Sequence, residues 1–212
     1  VVDLGEGVAL PYFYHPHNCG MPGDRRRTER TVELAVANAW LEGSHDAWEI
    51  GAVSPYYWPG RVPHVVDPAD SHPAVTHHCS LFTLDLRGCD VLSISTVEHV
   101  GEARYGLAEA ATPAEALEKI LAEARSSLVT FPLGCNAALD DLVIGGAFEA
   151  RCAVRLLVRN ADDSWSPAAG EAARRPYGTG WDPALGHAPW ANAIAILERG
   201  GRVLRSGAAR RP

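Results

Sequence analysis

Three short stretches of the chain carry residue types that can do chemistry. Glu49-Ile50-Gly51 sets a carboxylate beside a glycine, and glycine lets a backbone approach a ligand closely. Asp67 lies eighteen residues after Glu49. A carboxylate in such a place has acceptor sites for both hydroxyls of an adenosine ribose. Ser95-Thr96-Val97-Glu98-His99 gathers hydroxyls, an acid and an imidazole, and histidine changes charge near neutral pH. The glycine signal is weak by itself, because no GxGxxG is present and any exit from a strand into a loop fits it. His15-Pro16-His17-Asn18-Cys19 and His72 with His77-His78-Cys79 hold metal-type ligands, but neither has zinc-finger or HExxH spacing. No metal is expected. The five cysteines, Cys19, Cys79, Cys89, Cys135 and Cys152, are scattered and never form CxxC. That pattern points to a reducing, cytoplasmic setting.

The elements that must position these residues alternate. Residues 28–41 read as a helix rich in Ala, Leu and Glu, stopped at Gly43. Strands are expected at 47–52, 61–67, 90–95, 127–132, 151–158 and 191–197. Thr112-Pro113-Ala114-Glu115 opens a second helix to about Arg125: a Thr cap, Pro at the first turn, and Glu three residues after the cap. Strands alternating with helices predict an α/β sheet with parallel core strands. Ligands bind outside the carboxyl ends of such strands. Glu49 to Ala52, Asp67, Ser95 to His99 and Pro132 to Asn136 would share that rim. Residues 1–24, aromatic and rich in His and Pro, read as an arm or lid. Arg202, Arg205, Arg210 and Arg211 read as a solvated tail.

Charge narrows the partners. The 212 residues carry a net −7, with one lysine, Lys119, among 19 basic side chains. Residues 1–150 hold 9 basic and 21 acidic groups, a balance of −12; residues 151–212 hold 10 and 5, a balance of +5. An acidic body is poorly suited to nucleic acid, which needs its phosphates neutralised. It favours a cationic partner. No run of about 18 apolar residues exists, so no membrane span is expected. The start lacks the basic and apolar regions of a signal peptide.

Trp48-Glu49-Ile50-Gly51, His64-Val65-Val66-Asp67 and Ile94-Ser95-Thr96-Val97-Glu98-His99-Val100-Gly101 together resemble the class I S-adenosylmethionine (SAM) methyltransferases. Glu29-Arg30-Thr31-Val32-Glu33, Pro132-Leu133-Gly134-Cys135-Asn136, Leu139-Asp140 and Pro189-Trp190-Ala191-Asn192-Ala193 extend the resemblance over most of residues 12–197. Within that family the chain looks most like the aminoglycoside N-methyltransferases of gentamicin-type antibiotic biosynthesis. The resemblance implies a Rossmann-like class I methyltransferase sheet, mostly parallel with an antiparallel C-terminal strand and helices on both faces. It divides the chain into an arm at 1–27, a methyltransferase domain at 28–200 and a tail at 201–212. Glu49, Gly51 and Ala52 would face the methionyl end of SAM. Asp67 would hold its ribose, and Ser95 and Glu98 would line the pocket beneath the sulfonium. Two features depart from the family pattern. The glycine loop is thinned to Gly51-Ala52-Val53-Ser54-Pro55, and the adenine-side position falls near Cys79 or Ser80.

Methyl transfer from a sulfonium needs alignment and desolvation, and an amine acceptor must be neutral when it attacks. His99 is the first candidate for the proton acceptor; Tyr14 and His15 of the arm, with His17, are alternatives. Each also fits a structural role. A polycationic, hydroxyl-rich acceptor calls for carboxylates, amides and aromatic platforms. Tyr56, Tyr57, Asn136, Asp140, Trp165, Tyr177 and Asn192 are the candidates. Packing explains the aromatic run equally well, and a helix start explains Asp140. A cationic small-molecule acceptor, an aminoglycoside, is the expected partner, and the aromatic arm suggests a homodimer. O-methylation of a sugar or small natural product is an alternative that requires a strict base. A methyltransferase-fold binding protein without activity is another, kept open by the thinned glycine loop.

Overall fold

A computed structural model describes residues 1–19, 27–102, 111–177 and 191–204. Within it, nine strands and four α-helices follow one another as β1 (Val2–Gly5), β2 (Val8–Leu10), α1 (Pro16–Cys19), α2 (Glu29–Leu41), β3 (Ala47–Ile50), β4 (His64–Val66), β5 (Asp90–Ile94), α3 (Pro113–Glu123), β6 (Ser126–Pro132), α4 (Ala137–Ile144), β7 (Ala153–Arg159), β8 (Trp165–Ala168) and β9 (Ala193–Arg199). Seven strands form one mixed sheet in the order β4-β3-β5-β6-β9-β7-β8. β4, β3, β5 and β6 are parallel neighbours, and β9 runs antiparallel between β6 and β7. The architecture is α/β with a parallel core.

Alternation along the strands builds two apolar layers. Val91, Val129, Phe131, Ala195 and Leu197 face α3 and α4. Leu92, Ile94, Leu128, Ile194 and Ile196 face α2 on the other side. Ten of the thirteen α2 residues are buried. The helix is covered nearly all round, so its apolar residues form no single stripe. Thr28 caps it, accepting from the Thr31 N–H. α3 opens with the expected capping box between Thr112 and Glu115.

Two regions differ from the sequence reading. The segment read as an arm begins with the β1–β2 hairpin, whose Val2 and Leu4 are fully buried in the α2 layer. Phe13 then donates its N–H to the Thr31 carbonyl at 3.1 Å. Strict alternation over such short strands gave no signal. The second difference is at Arg202, which is anchored rather than frayed. Its guanidinium lies 2.6 Å from Asp90 Oδ2 and 4.9 Å over the Trp40 ring. Buried Val203 and Leu204 follow it. Arg205, Arg210 and Arg211, and Pro189 and Trp190 of the resemblance, lie outside the described residues.

Candidate functional site

The chain leaves β3 for β4 on one side and returns to β5 on the other. A strand order that reverses in this way opens a crevice at the carboxyl ends. A cleft of about 350 Å³ lies there. Its lining includes Gly51, Ala52, Asp67, Ser95, Glu98 and His99.

Each of these positions has a local cause. Gly51 has φ +90°, and a Cβ there would fall 2.0 Å from Thr96 Oγ1. Only glycine lets the end of β3 lie against the loop after β5. Glu49 is fully buried and does not line the cleft. Its carboxylate accepts from the Ser54 N–H at 2.8 Å and the Ser54 hydroxyl at 2.5 Å, holding the loop that follows Gly51. Burial pushes its pKa up to about 7, against the lowering effect of those bonds. Asp67 accepts from the Ala69 and Asp70 N–H groups at 2.8 Å each and from Ala52 N–H at 3.1 Å. Three bonds fix the carboxylate and leave acceptor capacity unused. Ser95 adopts φ +43°, a strained conformation for a residue with a side chain. Its hydroxyl donates to both Glu33 oxygens at 2.8 and 2.9 Å.

Beneath the rim lies a buried charge cluster from the start of α2. Arg30 Nη1 is 3.6 Å from Glu33 Oε2. Glu29 and Arg30 both line the cleft. Burial, helped by nearby Glu33, raises the Glu29 carboxyl to about 7. Glu98 is fully buried, and neither carboxylate oxygen has a hydrogen-bond partner among the described residues. Burial raises its pKa well above the usual carboxylate range. His99 Nε2 is 3.6 Å from Glu98 Oε1, and His99 Nδ1 is 3.3 Å from Glu102 Oε2. Cys79, Ser80 and Leu81 line the cleft as well, so both adenine-side positions singled out from the sequence lie on its wall.

The acceptor candidates scatter. Tyr177 lines the cleft, 43% exposed, and burial together with Glu29 raises its hydroxyl pKa. The others do not line it. Asn136 caps α4, accepts from Leu139 N–H and donates to the Glu98 carbonyl at 3.4 Å. Asp140 is buried and accepts from the Gly134 N–H at 2.7 Å, fixing the turn after β6. Trp165 is a core residue: its indole N–H donates to the Arg27 carbonyl at 2.5 Å, and its ring lies under Arg159. Asn192 donates to the Pro176 carbonyl at 3.0 Å. Tyr56 donates to Asp70, and Tyr57 packs edge-on to His15. His15 stacks on His17 at 5.1 Å, and Tyr14 lies 6.1 Å from Tyr12, both away from the lining.

Glu29, Arg30 and Glu33 were not among the expected site residues. Their signal is a set of charges one and three residues apart at the start of an Ala-rich helix, which becomes legible once that helix is seen to be buried. Among the described residues no group of three His, Cys, Asp or Glu could hold a metal ion, and no helix is long and apolar enough to cross a membrane. No family model, curated protein or solved structure matches the chain.

Proposed function

We propose that the chain is a class I SAM-dependent N-methyltransferase acting on an amino group of an aminoglycoside or related aminosugar. One observation carries the reading. At the reversal point of an α/β sheet, a glycine turn after the first parallel strand and an acid at the end of the second lie side by side in the lining of one cleft. The cleft volume falls in the range of small-molecule sites.

The residues fit SAM. Asp67 keeps acceptor capacity on Oδ2 for a ribose hydroxyl, since Ala69 and Asp70 N–H groups occupy Oδ1, and its partner Ala52 N–H ties it to the turn after Gly51. Arg30 supplies a half-buried guanidinium for the methionyl carboxylate. Cys79, Ser80 and Leu81 form the wall for the base. When bound, SAM supplies an electrophilic methyl group on a sulfonium. The protein's part is to bind, orient and exclude water. The acids Glu29 and Glu98 give the same cleft an affinity for a cationic amine.

Calorimetric titration with S-adenosylhomocysteine tests the reading. The wild-type protein is expected to bind it, and Asp67→Ala to bind about tenfold or more weakly, the cost of lost hydrogen bonds to a charged group. No wild-type binding, or equal affinity in the variant, overturns it. Incubation with SAM and a panel of aminosugars is expected to give a mass gain of about 14 Da, one methylene. Acetylating the acceptor amine should abolish that gain; its persistence would move the reaction to oxygen.

A further inference from the structure

Glu98 raises a question that cofactor binding leaves open. Its carboxyl sits in the cleft wall with neither oxygen hydrogen-bonded among the described residues. A buried carboxylate in that condition is costly unless it is neutral or meets a cation. Several groups bear on it. From α2, Glu33 opposes its ionisation and Arg30 favours it; Glu102, on its own loop, opposes it. Tyr177, also in the cleft lining, feels its charge, and Asn136 donates to its backbone carbonyl. The direct neighbour is His99.

His99 lies between Glu98 and the surface. One ring nitrogen is 3.6 Å from Glu98 and the other 3.3 Å from Glu102. Side-chain exposure rises along the row from 1% at Glu98 to 23% at His99 and 31% at Glu102. An imidazole accepts a proton at one nitrogen and releases one from the other.

We propose that Glu98, His99 and Glu102 form a proton-exchange path through which an ammonium group entering the cleft expels the Glu98 proton to solvent. The path rests on the amine-acceptor reading above. The exchange balances: an ammonium and a neutral carboxyl become an ammonium–carboxylate pair, and one proton departs. It passes to His99 Nε2 while the Nδ1 proton passes to Glu102 and then to water. The buried charge is therefore the same before and after, apart from the new ion pair. The carboxylate left behind can take the ammonium's own proton when the nitrogen must become a neutral nucleophile.

The test follows protons rather than turnover. Glucosamine is titrated into the protein near neutral pH in two buffers of different ionisation enthalpy, with N-acetylglucosamine as the uncharged control. About one proton is expected to be released per glucosamine bound, and none with the control. Glu98→Gln should abolish the release and weaken glucosamine about tenfold. His99→Phe should keep the stoichiometry but slow the release, followed with an indicator dye after rapid mixing, by about tenfold. No glucosamine binding, binding without release, or unchanged release in Glu98→Gln overturns the exchange. An unchanged rate in His99→Phe overturns the route. Should Glu98→Gln not fold, the wild-type measurement still decides, because absent release refutes the exchange. S-adenosylhomocysteine binding without proton release removes the path alone. Glucosamine-linked release without S-adenosylhomocysteine binding keeps the path and removes the methyltransferase reading.

Discussion

At Gly51 the backbone leaves no room for a side chain. The left-handed φ and the 2.0 Å approach to Thr96 act together, so Gly51→Ala must both strain the turn and displace the loop after β5. A loss of about 2–4 kcal/mol in urea denaturation is expected, with loss of S-adenosylhomocysteine binding. Near-normal stability would show that the loop gives way easily. The buried acids make a second prediction at this scale. Glu29 and Glu49 titrate at about 7 in the fold against an ordinary 4.5. The folded state thus holds protons that the unfolded state has lost. Their contribution is full below the unfolded value and is lost as pH rises through about 7. Asp90 has the opposite sign. Burial raises it, but hydrogen bonds from Arg125, Arg202, Ser126 and Ser44 outweigh that and hold it low. Its contribution is present above the unfolded value and is lost only as pH falls into strong acid. The melting temperature should therefore fall between about pH 5 and about pH 8. Glu49→Gln should flatten that slope in scanning calorimetry. An identical slope in the variant would remove Glu49 from the account.

The sheet's last strand is locked by its own carboxylate. Glu198, fully buried near the end of β9, accepts from the N–H groups of Arg202 at 2.5 Å, Val203 at 2.8 Å and Leu204 at 2.6 Å. Asp90, at the start of β5, grips the same turn through the Arg202 side chain. Glu198→Ala should cost about 2–4 kcal/mol, since it leaves buried donors unpaired. Amide exchange at residues 202–204 should rise more than in β6. Equal protection would mean that the turn is held by packing alone. Much of this scale was legible in the sequence. Strands β5, β6 and β9 are apolar runs buried on both faces, and α3 announces itself by its cap and proline. The β1–β2 hairpin was not legible, because strands of four and three residues give no period. The candidate site was legible in part: Gly51 and Asp67, singled out in the sequence as a glycine at a strand exit and an acid eighteen residues after Glu49, both line the cleft. It was not legible where tertiary burial creates the role. Arg30 and Glu33 read as solvated helix charges until the layers that cover α2 are known, and Trp165 reads as a platform until its face is seen in the core.

Over the whole molecule the two halves of the charge find one another. The arginines of the basic C-terminal part pair with acids of the first part: Arg151 with Glu118, Arg155 with Glu6, Arg159 with Glu29, Arg174 with Asp141 and Arg202 with Asp90. Among the described residues, five arginines of the +5 segment are thus engaged by acids of the first part. Asp67 of the cleft has no arginine partner of this kind among the described residues, so its negative charge is left at the rim. An excess of one sign around a cleft raises the local concentration of the opposite charge. Salt must weaken that effect, because the screening length shrinks from about 10 Å at 0.1 M to about 3 Å at 1 M. The Michaelis constant for a polycationic aminosugar should therefore rise steeply with added salt. A singly charged aminosugar should show a shallower rise, and the affinity for S-adenosylhomocysteine, which carries no net charge, should hardly change. Neutralising the rim with Asp70→Asn, a residue outside the cleft lining, should lower the slope for the polycation without changing S-adenosylhomocysteine affinity. A Michaelis constant that ignores salt for every acceptor would mean that the −12 half keeps the protein soluble and plays no part in choosing its substrate.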